Sequence, residues 1–198
     1  MKRILVTYAT NAGSTAEIAE AVAEGLAGNG MNVEVKTLDA VTTPASYDAI
    51  VVGGPMIFGW HRKARAFLTQ HQALLRRVPV AYFMVALSLV NDAEEAGVGT
   101  HIYQDPDLAT TPENPTALSF RERFTSATHY LQPALQCAPE ASPVSIAFFN
   151  GKLDYNRLNL FERWFVRLAF NAPEGDFRNW PIIQEWAESL SAPLAIGA

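Results

Sequence analysis

The chain has 198 residues, of which 49% are hydrophobic and 18% charged, a balance that excludes a disordered protein and is typical of a globular domain. Its net charge of -5 argues against the basic surface of a general nucleic-acid binder, so we expect no nucleic-acid partner. Cys137 is the only cysteine, which excludes an internal disulfide and a cysteine-rich metal site.

Strands and helices alternate along the sequence. An apolar run at 4–8 predicts a buried strand, and the apolar spacing at 14–26 predicts a helix; a half-exposed strand at 32–38, a buried strand at 49–52, a helix at 63–75 and a buried strand at 80–87 follow. Residues 91–119 contain several prolines and acidic residues without a period, which indicates a long loop. A helix at 120–135, a buried strand at 144–149 and helices at 158–170 and 181–190 complete the chain.

Five strands separated by helices predict an α/β fold with a doubly wound parallel sheet and a long insertion, residues 91–119, after the fourth strand. Without a repeat or a linker, the sequence predicts a single domain over 1–198. No apolar stretch reaches the roughly 18 residues of a membrane span or resembles a secretion signal, so we expect a cytoplasmic protein. Ligands of such sheets bind where the strands end, which directs attention to the loops after the apolar runs.

The first of these loops is made of small polar residues between a strand and a helix. Ser14 and Glu17 alone would be explained as a helix cap, with Glu17 completing a capping box. The whole loop indicates more, because backbone N–H groups at a helix start and several hydroxyls form a phosphate cradle without Lys or Arg. The residues of this predicted cradle are Thr10, Asn11, Ala12, Gly13, Ser14 and Thr15.

Other phosphate sites do not fit this loop. A nucleotide-binding loop of the Walker type needs Gly-Lys-Ser/Thr, and a dinucleotide fingerprint needs three glycines, whereas only Gly13 is present here. A phospho-accepting receiver domain would need carboxylates where the first and third strands end, and those ends carry no acid.

The loop pattern Thr10-x-x-Gly13-x-Thr15 after ILVTYA resembles the FMN-phosphate loop of flavodoxins, and GGPMIFGWH at 53–61 resembles their second flavin loop. This resemblance implies a flavodoxin-like five-stranded sheet in the order 2-1-3-4-5 with FMN as cofactor. It implies that Phe58 stacks on the flavin ring and that the Gly59 peptide responds to the flavin's oxidation state. The cofactor-binding residues implied beyond the cradle are Pro55, Met56, Ile57, Phe58, Gly59, Leu87, Ser88 and Leu89.

The C-terminal segments GKLDYNRLNLFERWFVRLAF and PEGDFRNWPIIQEWAESL resemble the flavodoxin-like, menaquinone-dependent protoporphyrinogen IX dehydrogenases. This resemblance implies an FMN-dependent oxidoreductase with a quinone acceptor, in which the flavin performs the chemistry and no side chain is assigned as catalytic. The alternative is a flavodoxin-like electron carrier with protein redox partners.

Two further residues are candidates for substrate contacts. His61 follows the second flavin loop, and Arg157 precedes the late helix; a solvated loop and a solvated helix face are the alternatives. His71, His101 and His129 lack ligand spacing, so we expect no metal. Residues 157–170 are apolar nearly all round with interspersed arginines, which predicts weak peripheral contact with a quinone or with the inner face of the membrane.

Overall fold

The structure is a computed structural model that describes residues 1–56, 59–91, 100–112, 114, 117–154 and 174–196. Its strands are β1 (Arg3–Tyr8), β2 (Asn32–Thr37), β3 (Ala49–Pro55), β4 (Val80–Ala86), β5 (Leu89–Val90), β6 (Ile102–Gln104), β7 (Ala109–Thr110), β8 (Ser145–Asn150), β9 (Lys152–Leu153) and β10 (Gly175–Asp176). Its helices are α1 (Ser14–Gly28), α2 (Arg62–Gln70), α3 (Gln72–Leu75), α4 (Phe120–Thr125), α5 (Ala127–Leu135), α6 (Trp180–Ser189) and α7 (Ser191–Ala195).

The central sheet is parallel throughout and has six strands in the order β2-β1-β3-β4-β8-β6. The predicted doubly wound α/β fold is therefore confirmed, and the predicted strands at 4–8, 32–38, 49–52, 80–87 and 144–149 correspond to its first five positions. The predicted number of strands was too small by one.

The sixth strand comes from the segment that was predicted to be a long loop. Within residues 91–119, Ile102 pairs with Ile146 and Gln104 with Phe148, so β6 extends the sheet beyond β8. The buried carboxylate of Asp105, directly after β6, accepts hydrogen bonds from the N–H groups of Asp107 and Asn150. Three residues are too few to show a period in the sequence, which is why β6 was missed.

Each face of the sheet is covered by helices, as expected for strands that are buried on both sides. On one face, α1 and α6 pack on Ile4, Val6 and their neighbours; on the other, α2 and α5 pack on Leu5, Val52 and Tyr82. The packing is tight at Gly53, where a Cβ atom would lie 1.9 Å from Cζ of Phe83. This close approach leaves room only for glycine near the end of β3.

Two predicted helices are divided in the structure, and the first of them, at 63–75, becomes α2 and α3 with His71 between them. The helix predicted at 120–135 is divided into α4 and α5 at Ser126, whose extended backbone bridges to Val90 and whose hydroxyl caps α5 by accepting from the N–H of His129. The helix predicted at 158–170 lies outside the described residues. None of the helices in the described part of the chain is long and apolar enough to cross a membrane.

Candidate functional site

The candidate site lies at the carboxyl ends of the central strands. The chain runs from β1 outward to β2 and then returns to β3 on the other side, so the direction of winding reverses between β1 and β3. Such a reversal leaves a crevice outside the strand ends, where ligands of open α/β sheets bind. Residues 10–15 follow β1, and residues 56–61 follow β3, so the first two predicted loops meet at this crevice.

The loop after β1 is held in shape by its own hydrogen bonds. Gly13 has a φ of 95° and donates its N–H to Oγ1 of Thr10 at 2.8 Å, while its carbonyl accepts from the N–H groups of Ala16 and Glu17. The N–H groups of Ser14 and Thr15 are among those that a helix start leaves without intrahelical partners. They lie at the positive end of α1.

Thr15 carries the clearest sign of a ligand site. Its side chain is 1% exposed, and its hydroxyl has no hydrogen-bond partner within the part of the chain that the structure describes. A buried hydroxyl without a partner costs free energy, so native proteins rarely keep one without a reason. Helix N–H groups and this hydroxyl together fit a phosphate group, which accepts hydrogen bonds but donates few.

The capping box predicted for Ser14 and Glu17 is wrong. The N-cap of α1 is Gly13, without a side-chain cap, and Glu17 instead accepts from Nη1 of Arg178 at 2.7 Å. The Arg178 side chain is 3% exposed, also pairs with Asp176, and lies over the ring of Trp180 at 4.4 Å. The hydrogen bonds from Arg178 lower the pKa of Asp176. The carboxylate in the first turn of α1 is thereby paired rather than turned toward the cradle.

The second loop is flanked by two buried residues, Met56 and Trp60. Met56 and Trp60 form an antiparallel bridge, and the Trp60 indole donates to the Gly54 carbonyl at 3.2 Å. Trp60 is 3% exposed and packs near Tyr82, so it belongs to the core rather than to a ligand surface. Gly59 has a φ of 96°, a conformation that favours glycine. Ile57 and Phe58, both predicted to bind the cofactor, lie outside the described residues.

The third predicted loop, residues 87–89, is held in place by contacts with β7 and with Tyr130 of α5. Leu89 is fully buried in β5 and pairs with Ala109 of β7, and its carbonyl accepts from the hydroxyl of Thr110 at 3.0 Å. The hydroxyl of Tyr130 donates to the Ser88 carbonyl at 3.4 Å, and burial raises the pKa of Tyr130 to about 12. Leu87 and Ser88 remain partly exposed, whereas Leu89 is committed to the core.

His61 lies between the first two loops. Its Nε2 is 3.1 Å from Oδ1 of Asn11, and its Nδ1 accepts from the N–H of Lys63 at 3.2 Å, which caps α2. Burial lowers its pKa, the charges of Lys63 and Arg62 lower it further, and Asp39 acts in the opposite direction. Both ring nitrogens are engaged within the protein. Arg157, the other predicted substrate residue, lies outside the described residues.

The geometry thus combines the start of a helix, whose first turn carries the buried Thr15 hydroxyl, with two adjoining loops at the switch point of a parallel sheet. A family model described as "Flavodoxin domain" matches residues 5–179 of the chain. The chain belongs to this flavodoxin domain family. The resemblance predicted from the first two loops is therefore confirmed at the level of the family, and a flavin cofactor is what this family implies.

Known proteins similar to this flavodoxin domain fall into two groups. A curated Escherichia coli (strain K12) protein named "Protoporphyrinogen IX dehydrogenase [quinone]" is 22% identical over 191 residues, which cover 94% of this chain and 90% of that protein. A flavodoxin from the domain Archaea has a TM-score of 0.53 at 10% identity and covers 98% of this chain and 99% of its own. A short-chain flavodoxin associated with a bacterial microcompartment gives the same TM-score at 11% identity. The structural likeness establishes the fold.

Several residues of the site were missed by the sequence reasoning. Arg178 lies 161 positions from Glu17, and Tyr130 lies 42 positions from Ser88, so no local pattern could link either pair. A groove of about 440 Å³, lined by residues that include Thr100 and Leu135, lies near the amino ends of β6 and β8. This groove lies at the amino ends of the strands, whereas the cradle of this flavodoxin domain lies at their carboxyl ends.

Proposed function

We propose that this flavodoxin domain binds FMN with its phosphate in residues 10–15 and acts as an oxidoreductase. The observation that carries the proposal is the buried hydroxyl of Thr15 at the start of α1, which has no hydrogen-bond partner among the residues that the structure describes. The cradle contains no Lys or Arg, so we expect it to bind a terminal phosphate through N–H and hydroxyl groups. FMN has such a phosphate.

We propose that the two neighbouring loops orient the rest of the cofactor, with Pro55 and Gly59 on one side of the flavin ring and Leu87 and Ser88 on the other. When bound, the flavin supplies the redox chemistry, and the protein sets its orientation and potential. Hydrogen bonds from Trp60 to the Gly54 carbonyl and from Tyr130 to the Ser88 carbonyl tie the two loops to the core, which supports this proposal.

For the reaction, we propose oxidation of a porphyrinogen, with a quinone as electron acceptor. The support is the 22% identity to protoporphyrinogen IX dehydrogenase [quinone], which extends over most of both chains, together with the resemblance of residues 151–170 and 173–190. The structure assigns His61 to contacts with Asn11 and Lys63, so we no longer propose it as a substrate ligand. Arg157 remains a proposed substrate residue.

The first experiment is to titrate the purified protein with FMN and to record its absorbance spectrum. Saturable binding with a perturbed flavin spectrum is expected, and a protein that binds no flavin would contradict the proposal. The second is an anaerobic assay in which the FMN-loaded protein oxidises protoporphyrinogen with a menaquinone analogue. Flavin binding without turnover, combined with rapid electron exchange with a redox protein, would favour the electron-carrier alternative.

A further inference from the structure

One side chain connects the phosphate loop to the second flavin loop in the described part of the chain. His61 reaches Oδ1 of Asn11 with Nε2 at 3.1 Å, although the two residues are 50 positions apart. Its backbone is fixed as well, because its N–H donates to the Pro55 carbonyl at 3.1 Å. The imidazole therefore joins the turn that begins α1 to the end of β3 and the start of α2.

The hydrogen bonds determine which ring nitrogen carries the proton. Nδ1 accepts from the N–H of Lys63, so it must be unprotonated. A neutral imidazole then has its proton on Nε2, and that N–H donates to the carbonyl oxygen of Asn11. The same contacts fix the orientation of the Asn11 amide, because its oxygen must face His61 and its amino group must point away.

The surroundings keep this histidine in the neutral form. Arg62 and Lys63 lie on the helix that His61 caps, and Lys63 pairs with Asp39 on the neighbouring segment. Partial burial disfavours a positive charge on the ring, and two cations against one carboxylate act in the same direction. A neutral His61 is therefore available as a fixed donor at neutral pH.

We propose that neutral His61 is a positioning residue for FMN, which holds Asn11 and thereby the phosphate loop in the geometry that binds the cofactor. The inference rests on the proposed binding of FMN. It gives His61 a role in organising the cofactor site instead of a contact with substrate. The amino group of Asn11 is turned away from His61, and we expect it to contact the cofactor.

A double-mutant cycle on FMN affinity tests this role. His61→Asn retains a good N-cap for α2 but is too short to reach Asn11, so it separates capping from positioning. His61→Asn and Asn11→Ala should each weaken FMN binding by about fivefold, the value of one neutral hydrogen bond. The double variant should bind no more weakly than the weaker single variant, because both changes remove the same link.

Controls distinguish the inference from the proposed function. His101→Asn, the same substitution at an exposed histidine before β6, should leave FMN affinity unchanged. Ring ¹⁵N chemical shifts of His61 at neutral pH, recorded without cofactor, should show a protonated Nε2 and an unprotonated Nδ1. Additive losses in the cycle, or the opposite tautomer, would overturn the inference while FMN binding by the wild type still supports the proposed function. Failure of the wild type to bind FMN would overturn both.

Discussion

The hydroxyl of Thr15 has opposite effects on folding and on binding. It is buried and has no hydrogen-bond partner in the described part of the chain, so Thr15→Val should raise the free energy of unfolding of the cofactor-free protein by about 1 kcal/mol. In the complex it would donate to a charged phosphate, so the same change should weaken FMN binding about ten- to a hundredfold. Thermal unfolding without cofactor and FMN titration measure the two effects.

Thr7 offers a matched control for this prediction. Its hydroxyl is also buried and unpartnered within the described residues, but alternation along β1 places its side chain on the face of Leu5, away from α1. Thr7→Val should therefore stabilise the protein without changing FMN affinity. Equal losses of affinity in both variants would contradict the assignment of Thr15 to the phosphate site.

The lowered pKa of His61 predicts a pH dependence of stability. Its ordinary pKa is 6.5, and burial lowers the value in the folded protein, so the unfolded chain binds a proton first as pH falls. The stability that His61 contributes should be complete above pH 6.5 and should be lost as pH falls through the lowered folded pKa. Denaturant unfolding of wild type and His61→Asn between about pH 5 and 8 checks this.

The comparison with His61→Asn isolates one histidine from the others. Burial also lowers the pKa of His71, but that residue is present in both proteins and its contribution cancels. The stability advantage of the wild type should shrink toward acidic pH. A pH-independent difference would show that folding does not lower the pKa of His61.

Gly59 permits a prediction about redox tuning. Its φ of 96° is unfavourable for alanine, although an added Cβ would meet no atom within 4 Å among the described residues. Gly59→Ala should therefore change the turn through backbone strain of about 1 kcal/mol rather than through a clash. We expect shifted FMN midpoint potentials with nearly unchanged phosphate binding, and a smaller shift for Gly59→Asn. Identical potentials in a redox titration would remove Gly59 from flavin tuning.

At the scale of elements, the segment before α6 is fastened to the first turn of α1. Arg178→Met should leave the carboxylate of Glu17 unpaired close to the cradle, where it would repel a phosphate. FMN affinity should fall more at low ionic strength than at high, because salt screens exposed charges. Titrations at two salt concentrations measure this difference.

The additional change Glu17→Gln provides the control for this charge argument. The double variant Arg178→Met, Glu17→Gln should recover most of the affinity, because it removes the repelling carboxylate. If affinity stays low and independent of salt, Arg178 acts on the site by packing against Trp180 and not through charge. Arg178→Lys should rescue little, since a single ammonium cannot reproduce a guanidinium that pairs with two carboxylates.

For the whole molecule, the remaining prediction concerns the helix predicted at 158–170. The helical spacing predicts one apolar stripe made of Phe161, Trp164, Phe165 and Leu168. Leu160, Val166 and Phe170 lie off that stripe, so we expect them to make weak contact with a membrane or with a quinone. Replacing all three with Ser should reduce liposome co-sedimentation and quinone reduction. The net charge of -5 limits binding to anionic lipid, so the wild-type association should be modest.

A change at another exposed apolar residue controls for a general loss of surface hydrophobicity. Phe124 is 50% exposed on α4, and Phe124→Ser should leave both assays unchanged. A triple variant that folds, retains FMN and matches the wild type in both assays would assign residues 158–170 to a structural role. That result would also favour an electron carrier over an enzyme.

The fold was predictable where burial leaves a continuous apolar run. β1, β3, β4 and β8 are buried on both faces, and each shows such a run in the sequence. The loop at 10–15 was predictable as the connection between β1 and α1, because small and hydroxyl residues cluster there, and its role as a phosphate cradle stays a prediction. The contact of Arg178 with Glu17 and that of His61 with Asn11 join segments far apart in sequence, and only the folded chain brings them together.

The position of β6 has a consequence for changes to the segment that carries it. This strand precedes β8 in the chain yet pairs on its outer edge, so the strands β2, β1, β3, β4 and β8 form a continuous sheet without it. The entropic cost of closing a loop grows only slowly with its length. Residues 91–119 should therefore tolerate changes in length or composition without altering the strands that lead to the cradle. An acidic insertion is in this sense an addition to a sheet that the other five strands already complete.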